Sequence, residues 1–504
     1  MNANLYAAFQ RKFSQYADKP VLIASTGEQW CYKNLEEESA RIANCLAEIG
    51  VEPGDRVSVQ VNKSPQAMFL YLACLRAGLV FHPLNTGYRE NELDYFIGNA
   101  EPSVIVCDSE SEAVFSSLGA RYEINNILTL DADGSGSLTQ RSADCSAEAA
   151  VVERESDDLA ALLYSSGTTG VPKGIMLTHH NLQSNALSLI EYWGFTDTDI
   201  LLHALPIFHV HGLFVAINCV LLSGAGMRWL PSFDANQAVE YLPECTVMMG
   251  VPTYYTRLLS TPAFTQEVAA NTRVFISGSA PLLEETFVEF EERTGKCILE
   301  RYGMSETNMN TSNPLDGERR AGTVGFPLPG VEVRIVDENN SVLGCDEVGN
   351  LQVRGENVFK GYWKMPEKTA EDFTSDGFFN TGDKGKISDD GYVSIVGRAK
   401  DMVITGGLNV YPKEIELLID ELDGVKESAV IGVPLADFGE GVVAVVVPAA
   451  ESTPEEAAII STLKQELASF KVPKRVVVLE ELPRNTMGKV QKNMLREQFN
   501  DLLS

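Results

Sequence analysis

The ten residues 165–174 constrain this chain more than any other segment of it. They contain four hydroxyl side chains, three glycines and Lys173, and they follow the apolar run 159–164, which has the pattern of a buried strand. Glycines let a backbone approach an anion closely, and hydroxyls, N–H groups and a lysine can donate hydrogen bonds to phosphate oxygens. A flexible surface turn has a similar composition, but the strand before it and the patterned segment 175–193 after it favour a loop that binds a nucleotide triphosphate. The loop is not of the Walker A type, because Val171 stands where that pattern requires lysine.

Length, charge and cysteine content limit the class of protein. A chain of 504 residues is too long for one hydrophobic core, so we expect two or more domains. The formal charge of −30 disfavours nucleic-acid and membrane partners, and an anionic substrate therefore needs local positive groups. The nine cysteines form no C-x-x-C pair, and no apolar stretch approaches the length of a membrane span. Together these features predict a cytoplasmic protein with reduced thiols.

The chain is predicted to be an α/β protein with a large N-terminal domain, 1–399, and a small α+β domain, 400–504. Helical and strand patterns alternate through the first part, as in the helix 35–49, the strand 55–61 and the helix that opens at Ser64, which indicates layered α/β sheets. From about 331 to 397 short strands and turns predict a small β subdomain. The pattern changes again at Lys400, where we place the domain boundary.

Six further segments carry glycine, hydroxyl or charged side chains of the kind that bind nucleotides. They are 277–281, 302–307, 381–383, 397–401, 406–412 and 483–489. In this order, and together with the loop 165–174, they resemble the adenylate-forming superfamily of acyl-CoA synthetases, adenylation domains and luciferases, over almost the whole chain. Taken singly, Asp383 could be a turn residue, Glu306 a carboxylate at a helix N-terminus and Lys489 a solvated lysine. The ordered set is what makes the resemblance specific.

Within that superfamily, the segments 209–213, 250–257 and 300–311 are similar to those of bacterial malonyl-CoA synthetases. The resemblance implies a mobile C-terminal domain and two half-reactions, in which ATP first activates a carboxylate as an acyl-adenylate and CoA then takes the acyl group. It implies Lys489, Glu306 and Thr168 as catalytic residues, with Glu306 binding Mg²⁺. It assigns ATP binding to Ser165, Ser166, Gly167, Thr168, Thr169, Gly170, Val171, Pro172, Lys173, Gly278, Ser279, Ala280, Tyr302, Asp383, Arg398 and Lys489.

The resemblance also gives these residues individual roles. Tyr302 is expected to stack on adenine, and Asp383 and Arg398 to bind the ribose. Lys489 is expected to bridge the carboxylate and the α-phosphate during adenylation. The C-terminal domain is expected to rotate about Lys400, which withdraws Lys489. Gly406 and Gly407 would then line the tunnel for the pantetheine arm of CoA, where a Cβ atom would narrow the passage.

The expected acyl pocket contains basic residues, which a fatty-acid tunnel would not require. Burying an uncompensated guanidinium costs several kcal/mol, so cations here imply an anion that meets them. We predict that Arg301 and Arg257 bind the distal carboxylate of malonate and that His209 lines or gates the pocket, with His211 a core histidine. The alternative is that each arginine forms only a surface ion pair. Relatives in this family tend to carry a basic residue where this chain has Val171, which leaves Lys173 as the only cation of the loop.

The resulting hypothesis is a monomeric or homodimeric ligase that uses ATP, Mg²⁺ and CoA to convert malonate to malonyl-CoA, AMP and pyrophosphate. Methylmalonate is a plausible second substrate, because one methyl group is only weakly discriminated. The alternatives are a CoA ligase for another short acid and a stand-alone adenylation enzyme that loads a carrier protein. A protein that binds nucleotide without turnover and an oxygenase of the luciferase kind are further alternatives.

Overall fold

A computed structural model describes residues 2–164, 172–398, 401–405, 408–435, 439–450, 452, 454–467, 469–485 and 488–503. Within these ranges the chain forms two large mixed sheets, a four-stranded antiparallel sheet and a smaller C-terminal sheet. None of the helices in the described ranges has both the length and the apolar character that a membrane span requires. The predicted α/β class, with a large N-terminal part and a small C-terminal part, is confirmed.

Sixteen α-helices lie within the described residues. They are α1 (Leu5–Gln15), α2 (Tyr32–Glu48), α3 (Pro65–Arg76), α4 (Glu90–Ala100), α5 (Glu112–Tyr122), α6 (Ser137–Ala143), α7 (His179–Tyr192), α8 (Asn218–Ser223), α9 (Ala235–Tyr241), α10 (Pro252–Leu259), α11 (Gln266–Ala269), α12 (Glu284–Thr294), α13 (Pro366–Asp372), α14 (Pro412–Asp420), α15 (Glu456–Glu466) and α16 (Lys492–Gln498). A π-helical segment, His211–Ile217, runs directly into α8, and a short 3₁₀ turn, Leu242–Glu244, follows α9.

Twenty-five strands lie within the same residues. They are β1 (Pro20–Ala24), β2 (Gln29–Cys31), β3 (Arg56–Gln60), β4 (Val80–Pro83), β5 (Val104–Cys107), β6 (Asn126–Thr129), β7 (Leu159–Tyr164), β8 (Gly174–Thr178), β9 (Ile200–His203), β10 (Gly226–Trp229), β11 (Val247–Gly250), β12 (Val274–Ser277), β13 (Ile298–Met304), β14 (Asn308–Ser312), β15 (Phe326–Pro327), β16 (Val331–Val336), β17 (Gly349–Gly355), β18 (Gly361–Tyr362), β19 (Phe379–Ile387), β20 (Val393–Arg398), β21 (Val403–Thr405), β22 (Leu408–Val410), β23 (Val425–Leu435), β24 (Gly439–Pro448) and β25 (Arg475–Val478).

Both large sheets have parallel centres. The nine-stranded sheet has the order β15-β14-β13-β12-β11-β9-β10-β1-β2, and its six strands from β13 to β1 are parallel. The seven-stranded sheet has the order β18-β8-β7-β4-β3-β5-β6, and its five strands from β7 to β6 are parallel. Strands β5 and β12 are buried at every position, which is typical of parallel strands covered on both faces.

One hydrophobic core joins the two large sheets. It contains Val57 and Val106 of the seven-stranded sheet together with Leu201 and Ile276 of the nine-stranded sheet. Helix α3 contributes nine consecutive apolar residues, 67–75, to this core, so this run is buried on all sides rather than amphipathic. Its start follows the prediction, because the side chain of Ser64 accepts a hydrogen bond from the backbone N–H of Ala67 and a proline occupies the first turn.

The remaining two sheets cover residues 331–398 and the C-terminal part. The first has the order β16-β17-β19-β20 and is antiparallel throughout, with a small core of its own. The second pairs β21 to β25, and separate apolar clusters pack on its two faces. The short strands predicted between about 331 and 397 are present, among them β16, β17 and β20.

Candidate active site

Several of the predicted site residues lie outside the described part of the chain. For Arg398 only the backbone is described, and it pairs with Asp383 between β20 and β19. The others outside the described residues are Ser165, Ser166, Gly167, Thr168, Thr169, Gly170, Val171, Lys400, Gly406 and Gly407. Their roles in phosphate binding, the hinge and the CoA tunnel therefore stay predictions.

Three groups of the remaining predicted residues lie at or beyond the carboxyl ends of parallel strands. Gly278 to Ala280 follow β12, Tyr302 and Glu306 lie at the end of β13 and just beyond it, and His209 follows β9. These three strands are close in the nine-stranded sheet, where β12 lies between β13 and β11, and β11 pairs with β9. Ligands of open α/β sheets bind outside the carboxyl ends of the strands, so the topology brings these segments to one edge.

Lys173 and Glu306 meet at the hydroxyl of Tyr362. Lys173 immediately precedes β8, and Tyr362 of β18 pairs with Ile175 of β8 across the antiparallel ladder. The Nζ atom of Lys173 donates to the Tyr362 hydroxyl at 3.0 Å and lies 3.5 Å from the Asp372 carboxylate. Burial raises the pKa of Tyr362, and the nearby carboxylates of Glu306 and Asp372 raise it further. The hydroxyl therefore stays protonated between an ammonium and a buried carboxylate.

This cluster fits a magnesium ion that is shared with a polyphosphate. Glu306 is 7% exposed, and a carboxylate oxygen is a ligand that Mg²⁺ prefers. Within the part of the chain that the structure describes, no group of three or more His, Cys, Asp or Glu side chains could hold a metal unaided. Mg²⁺ commonly binds through one or two carboxylates plus substrate phosphates and water, which is the arrangement that a single carboxylate beside Lys173 permits.

Tyr302 and Asp383 form the second part of the site. The hydroxyl of Tyr302 donates to Oδ2 of Asp383 at 2.5 Å, and Asp383 is buried. The backbone of Asp383 is fixed in turn, because its N–H donates to the side chain of Thr381. A tyrosine ring and a carboxylate, held together by this contact, suit the stacking of a base and the binding of ribose hydroxyls.

Ser279, in the turn after β12, has an unusual backbone conformation. Its φ angle is 72°, in the left-handed region that residues other than glycine rarely adopt. The strained turn directs the Ser279 hydroxyl to within 3.3 Å of Nδ1 of His211. The segment 278–280 therefore connects the nucleotide side of the site to the histidine segment 209–211.

Arg301 is the most distinctive group of the site. It is 3% exposed, and its Nε and Nη2 atoms have no hydrogen-bond partner among the described residues. Its guanidinium lies against Gly278, where a Cβ atom would come within 2.5 Å of Cζ. Burial lowers the pKa of Arg301 to about 9, against the opposing effects of Tyr255 and Glu300. A buried guanidinium with unused donors favours an anionic partner, and no carboxylate among the described residues is within ion-pair distance of Arg301.

His209 and His211 lie beside Arg301 and are neutral. Burial lowers the pKa of His209 to about 4, and the charges of Arg301 and Lys489 contribute to this. Burial also lowers the pKa of His211 well below its ordinary value, with contributions from Arg301, His209 and His203. The prediction of a satisfied core histidine is only partly met by His211, because its Nε2 atom has no partner among the described residues. Both rings can therefore line a cavity without adding charge.

Lys489 reaches this cluster from the C-terminal part of the chain. A turn holds its backbone, since its N–H donates to the side chain of Asn485 and its carbonyl accepts from the N–H of Asn485. The neighbouring Gly488 lies against Thr253 at the start of α10. The charge of Lys489 contributes to the lowered pKa of His209, after burial and Arg301. Two predicted groups that are far apart in the sequence, Lys489 and His209, therefore influence each other in the fold.

Arg257 departs from the expectation. It lies in the last turn of α10 and is exposed, so the energetic argument that applies to Arg301 does not apply to it. The interpretation of Arg257 and Arg301 as two buried cations is therefore wrong in this respect. A contact between the exposed guanidinium of Arg257 and the substrate carboxylate stays a prediction.

Two residues of the site were not found from the sequence. Tyr362 lies in a strand of two residues and contacts Lys173 over a separation of 189 positions, so no local pattern could signal it. Glu300 is buried and receives a hydrogen bond from the backbone N–H of Leu282. Burial raises the pKa of Glu300 to about 7, opposed by that hydrogen bond and by the charges of Lys413 and Arg301.

The chain is similar over nearly its whole length to several known proteins. The crystal structure of ATP-bound MatB from Rhodopseudomonas palustris is 52% identical over the full length of both chains, with a TM-score of 0.97, and its apo form gives 0.86. A malonate–CoA ligase of Arabidopsis thaliana is 33% identical over 550 residues, covering 98% of this chain and 89% of the relative. A sulfoacetate–CoA ligase of Cupriavidus necator is 32% identical over 493 residues, covering 97% and 96%.

The family assignment rests on both parts of the chain. The model of a family described as AMP-binding enzyme matches residues 9–363, and that of the AMP-binding enzyme C-terminal domain matches residues 414–489. The first match includes Lys173, Arg301 and Glu306, and the second ends on Lys489. The chain therefore belongs to the AMP-binding enzyme family.

Proposed function

We propose that this chain is an ATP-dependent malonate–CoA ligase, which forms malonyl-adenylate and passes the malonyl group to CoA. The observation that carries the proposal is the burial of Arg301 with unused donors beside the nucleotide site. Malonate has a second carboxylate one carbon from the reacting one, and a guanidinium offers a planar pair of donors that matches a carboxylate. The relatives named malonate–CoA ligase and the similarity to MatB support the same substrate.

In the first half-reaction, a malonate oxygen attacks the α-phosphorus of ATP. The new C(O)O–P bond forms as the bond to the β-phosphate breaks, and pyrophosphate leaves. Lys173 with the loop 165–171 binds the β- and γ-phosphates, and Lys489 offsets the charge between the two approaching anions. Tyr302, Asp383 and Arg398 hold the nucleoside. Glu306 holds Mg²⁺, which supplies charge neutralisation to the phosphates when it is bound.

In the second half-reaction, the thiol sulfur of CoA attacks the acyl carbon. The C–S bond forms, the bond from carbon to the AMP oxygen breaks, and the thiol proton is released. We infer that the domain 400–504 rotates about Lys400 relative to 1–399, so that Lys489 leaves and Gly406 and Gly407 admit the pantetheine arm. The proximity of Lys489 to His209 and the higher TM-score with ATP-bound than with apo MatB support the adenylate-forming orientation in this structure.

The setting of the enzyme forms part of the proposal. The free cysteines among the described residues are consistent with a cytoplasmic location. The partners are malonate, ATP and CoA, with no nucleic acid or membrane, and the active form is a monomer or homodimer. Analytical ultracentrifugation of the purified chain measures whether it is a monomer or a homodimer.

A second candidate is a ligase for another short acid with a second negative group. The sulfoacetate–CoA ligase among the relatives favours it, because a sulfonate also needs a cation in the acyl pocket. Sulfonate has three oxygens and a tetrahedral shape, whereas a planar carboxylate matches the fork of one guanidinium. This geometry is the reason that malonate is the first choice.

The test is a pyrophosphate-release assay over a series of acids. Malonate, methylmalonate, succinate, sulfoacetate, acetate and butyrate are compared with ATP, Mg²⁺ and CoA, and malonyl-CoA is identified by mass. We expect malonate to give the highest kcat/KM and the thioester to form without any carrier protein. Equal activity with butyrate and malonate contradicts the proposal, and sulfoacetate above malonate selects the second candidate.

A further inference from the structure

Lys63 is a lysine whose ammonium points into the protein. It lies between β3 and α3, and its Nζ atom is 2.8 Å from Nδ1 and 2.9 Å from the carbonyl oxygen of His203. It also lies over the ring of Trp229, at 4.3 Å from the centroid. Among the described residues no carboxylate forms an ion pair with it, and burial lowers the pKa of Lys63 well below its ordinary value. Burying an amine without a carboxylate partner has a cost in free energy, which indicates that the contact between Lys63 and His203 has a role in the protein.

A second contact, with Gly212, fixes the tautomer of His203. Its Nε2 atom lies 2.9 Å from the carbonyl oxygen of Gly212, which can only accept a hydrogen bond. Nε2 must therefore carry the proton, and Nδ1 is left as the acceptor for Lys63. Burial, followed by the charge of Lys63, lowers the pKa of His203 well below its ordinary value, so the ring stays neutral. Lys63 and Gly212 are thus joined through one correctly oriented imidazole.

Gly212 lies in the π-helical segment that contains His211 and comes directly after His209 and Val210. This segment begins at His211, and the backbone N–H of Leu213 donates to the carbonyl of His209. A Cβ atom on Gly212 would come within 2.0 Å of the carbonyl oxygen of Pro206, so the turn is closely packed. π-helical turns frequently occur at functional sites, and the side chain of His203 holds the carbonyl of Gly212 within this one.

From this turn the contacts lead to Arg301. The side chain of His211 meets the hydroxyl of Ser279 at 3.3 Å, and the adjoining Gly278 packs against the guanidinium of Arg301. We propose that Lys63 and His203 are positioning residues for the acyl pocket, which hold the histidine segment 209–211 opposite Arg301. The inference rests on the proposed function, because it assigns these residues to recognition of the acid rather than of ATP.

The experiment compares two variants that break the same contact from its two sides. Lys63→Met keeps the stem and removes the donors, whereas His203→Gln keeps a donor near the Nε2 position and removes the Nδ1 acceptor. Each is expected to raise the KM for malonate about five- to twentyfold, with the KM for ATP and CoA unchanged. Because both act through one contact, the double variant should raise the KM for malonate no more than the larger single effect.

Lys19→Met is the matched control. Lys19 is also partly buried, donates to the carbonyl of Gly224 at 2.6 Å and lies over the ring of Tyr16 at 5.2 Å, away from the pocket. Its loss should lower the melting temperature and leave every KM unchanged. If Lys63→Met behaves like Lys19→Met, or lowers kcat with no change in the KM for malonate, the positioning role is wrong.

The two proposals fail in different ways. Wild-type enzyme that does not prefer malonate to butyrate contradicts the proposed function, whatever the variants do. If the wild-type enzyme prefers malonate to butyrate and the Lys63→Met variant keeps this preference with an unchanged KM for malonate, only the positioning role is contradicted. Additive effects in the double variant contradict it as well.

Discussion

Arg301 and Arg257 carry the same charge, but their surroundings give that charge different energies. Arg301 is 3% exposed and its donors are unused, so a bound carboxylate replaces a missing partner. Arg257 is exposed, and water already solvates it. Ion pairs in water contribute roughly 0–1 kcal/mol, whereas an unpaired buried charge costs several kcal/mol. Burial, rather than the number of arginines, therefore decides which residue selects a dicarboxylate.

Arg301→Met is expected to remove the preference for malonate. The loss of the only buried guanidinium of the described pocket should reduce kcat/KM for malonate by the equivalent of about 2–5 kcal/mol and leave butyrate turnover unchanged or higher. Arg257→Met should reduce kcat/KM for malonate by the equivalent of less than about 1 kcal/mol. Steady-state kinetics with both acids measures this, and an Arg301→Met enzyme that still selects malonate would show that another group recognises it.

Tyr362→Phe tests whether the Tyr362 hydroxyl links Lys173 to Glu306, the carboxylate proposed to bind Mg²⁺. The change removes one oxygen, so Lys173 loses a partner at 3.0 Å and Glu306 loses a neighbouring donor. We expect the KM for ATP and the Mg²⁺ concentration for half-maximal activity to rise about three- to tenfold, the equivalent of ~1 kcal/mol, with the KM for malonate unchanged. Tyr192→Phe, which loses a hydroxyl contact to the carbonyl of Ser312, is the control. Identical kinetics in the two variants would remove Tyr362 from the site.

At the scale of elements, the turn after β12 joins the nucleotide and acid sides of the site. Gly278 opens this turn, and its missing side chain leaves the space that the Arg301 guanidinium fills. Ser279 then turns with a positive φ toward His211. The position of the cation therefore depends on a backbone segment with no charge of its own.

Gly278→Ala is expected to displace the guanidinium. The added Cβ would lie 2.5 Å from Cζ, 2.6 Å from Nη1 and 2.7 Å from Nε, so the whole group must move. We predict a rise of about tenfold or more in the KM for malonate, from the loss of one charge-assisted hydrogen bond. Gly344→Ala serves as the control, because its Cβ would meet only the end of the flexible Glu347 side chain at 3.3 Å. Unchanged malonate kinetics in Gly278→Ala would mean that the pocket tolerates a shifted Arg301.

Elements with local signals could be predicted from the sequence. The N-cap of α3, the buried strands and the short antiparallel strands all follow from capping residues and periodicity. The π-helical segment His211–Ile217 could not, since apolar residues in that run suit an α-helix equally well. Strand β19 was also missed, because its run contains glycine, threonine and charged residues that read as a turn. Likewise, Tyr302 and Asp383 were assigned by resemblance, whereas their contact is a product of the tertiary fold.

At the scale of the whole molecule, the net negative charge repels the anionic substrates of the proposed reaction. The formal charge is −30, and both ATP and malonate are anions. Lys173 lies beside Tyr362 and Asp372, and Arg301 and Lys489 act on His209, so positive charge close to the predicted binding groups can offset the repulsion of a salt-screened surface. Glu300 lies next to this cation group, and its raised pKa reflects burial more than its neighbours.

Glu300→Gln is expected to stabilise the protein only at higher pH. The pKa of Glu300 is about 7 in the folded state and 4.5 in its ordinary state, so the fold favours the protonated form. Its contribution to stability is full below pH 4.5 and is lost as the pH rises through 7. The variant should therefore gain about 1–3 kcal/mol over wild type at pH 8 and little at pH 5, measured by denaturant unfolding. Glu292→Gln, at an exposed position of α12, should show no such trend; an equal gain at both pH values would contradict the assignment.

Lys489 lies within the C-terminal family match yet affects the pKa of a histidine in the N-terminal part, so its function depends on the orientation of the two parts. If the parts alternate, Lys489→Ala should slow adenylation about 10²–10³-fold, because a positioned cation is lost where charge develops. Thioester formation from pre-formed malonyl-adenylate and CoA should remain near the wild-type rate, because Lys489 is withdrawn in that step. Pyrophosphate exchange measures the first reaction and malonyl-CoA production measures the second. Lys464→Ala, on the exposed face of α15, should affect neither. Equal losses in both half-reactions would mean that Lys489 stays in the site throughout, and the rotation about Lys400 would then have no function to perform.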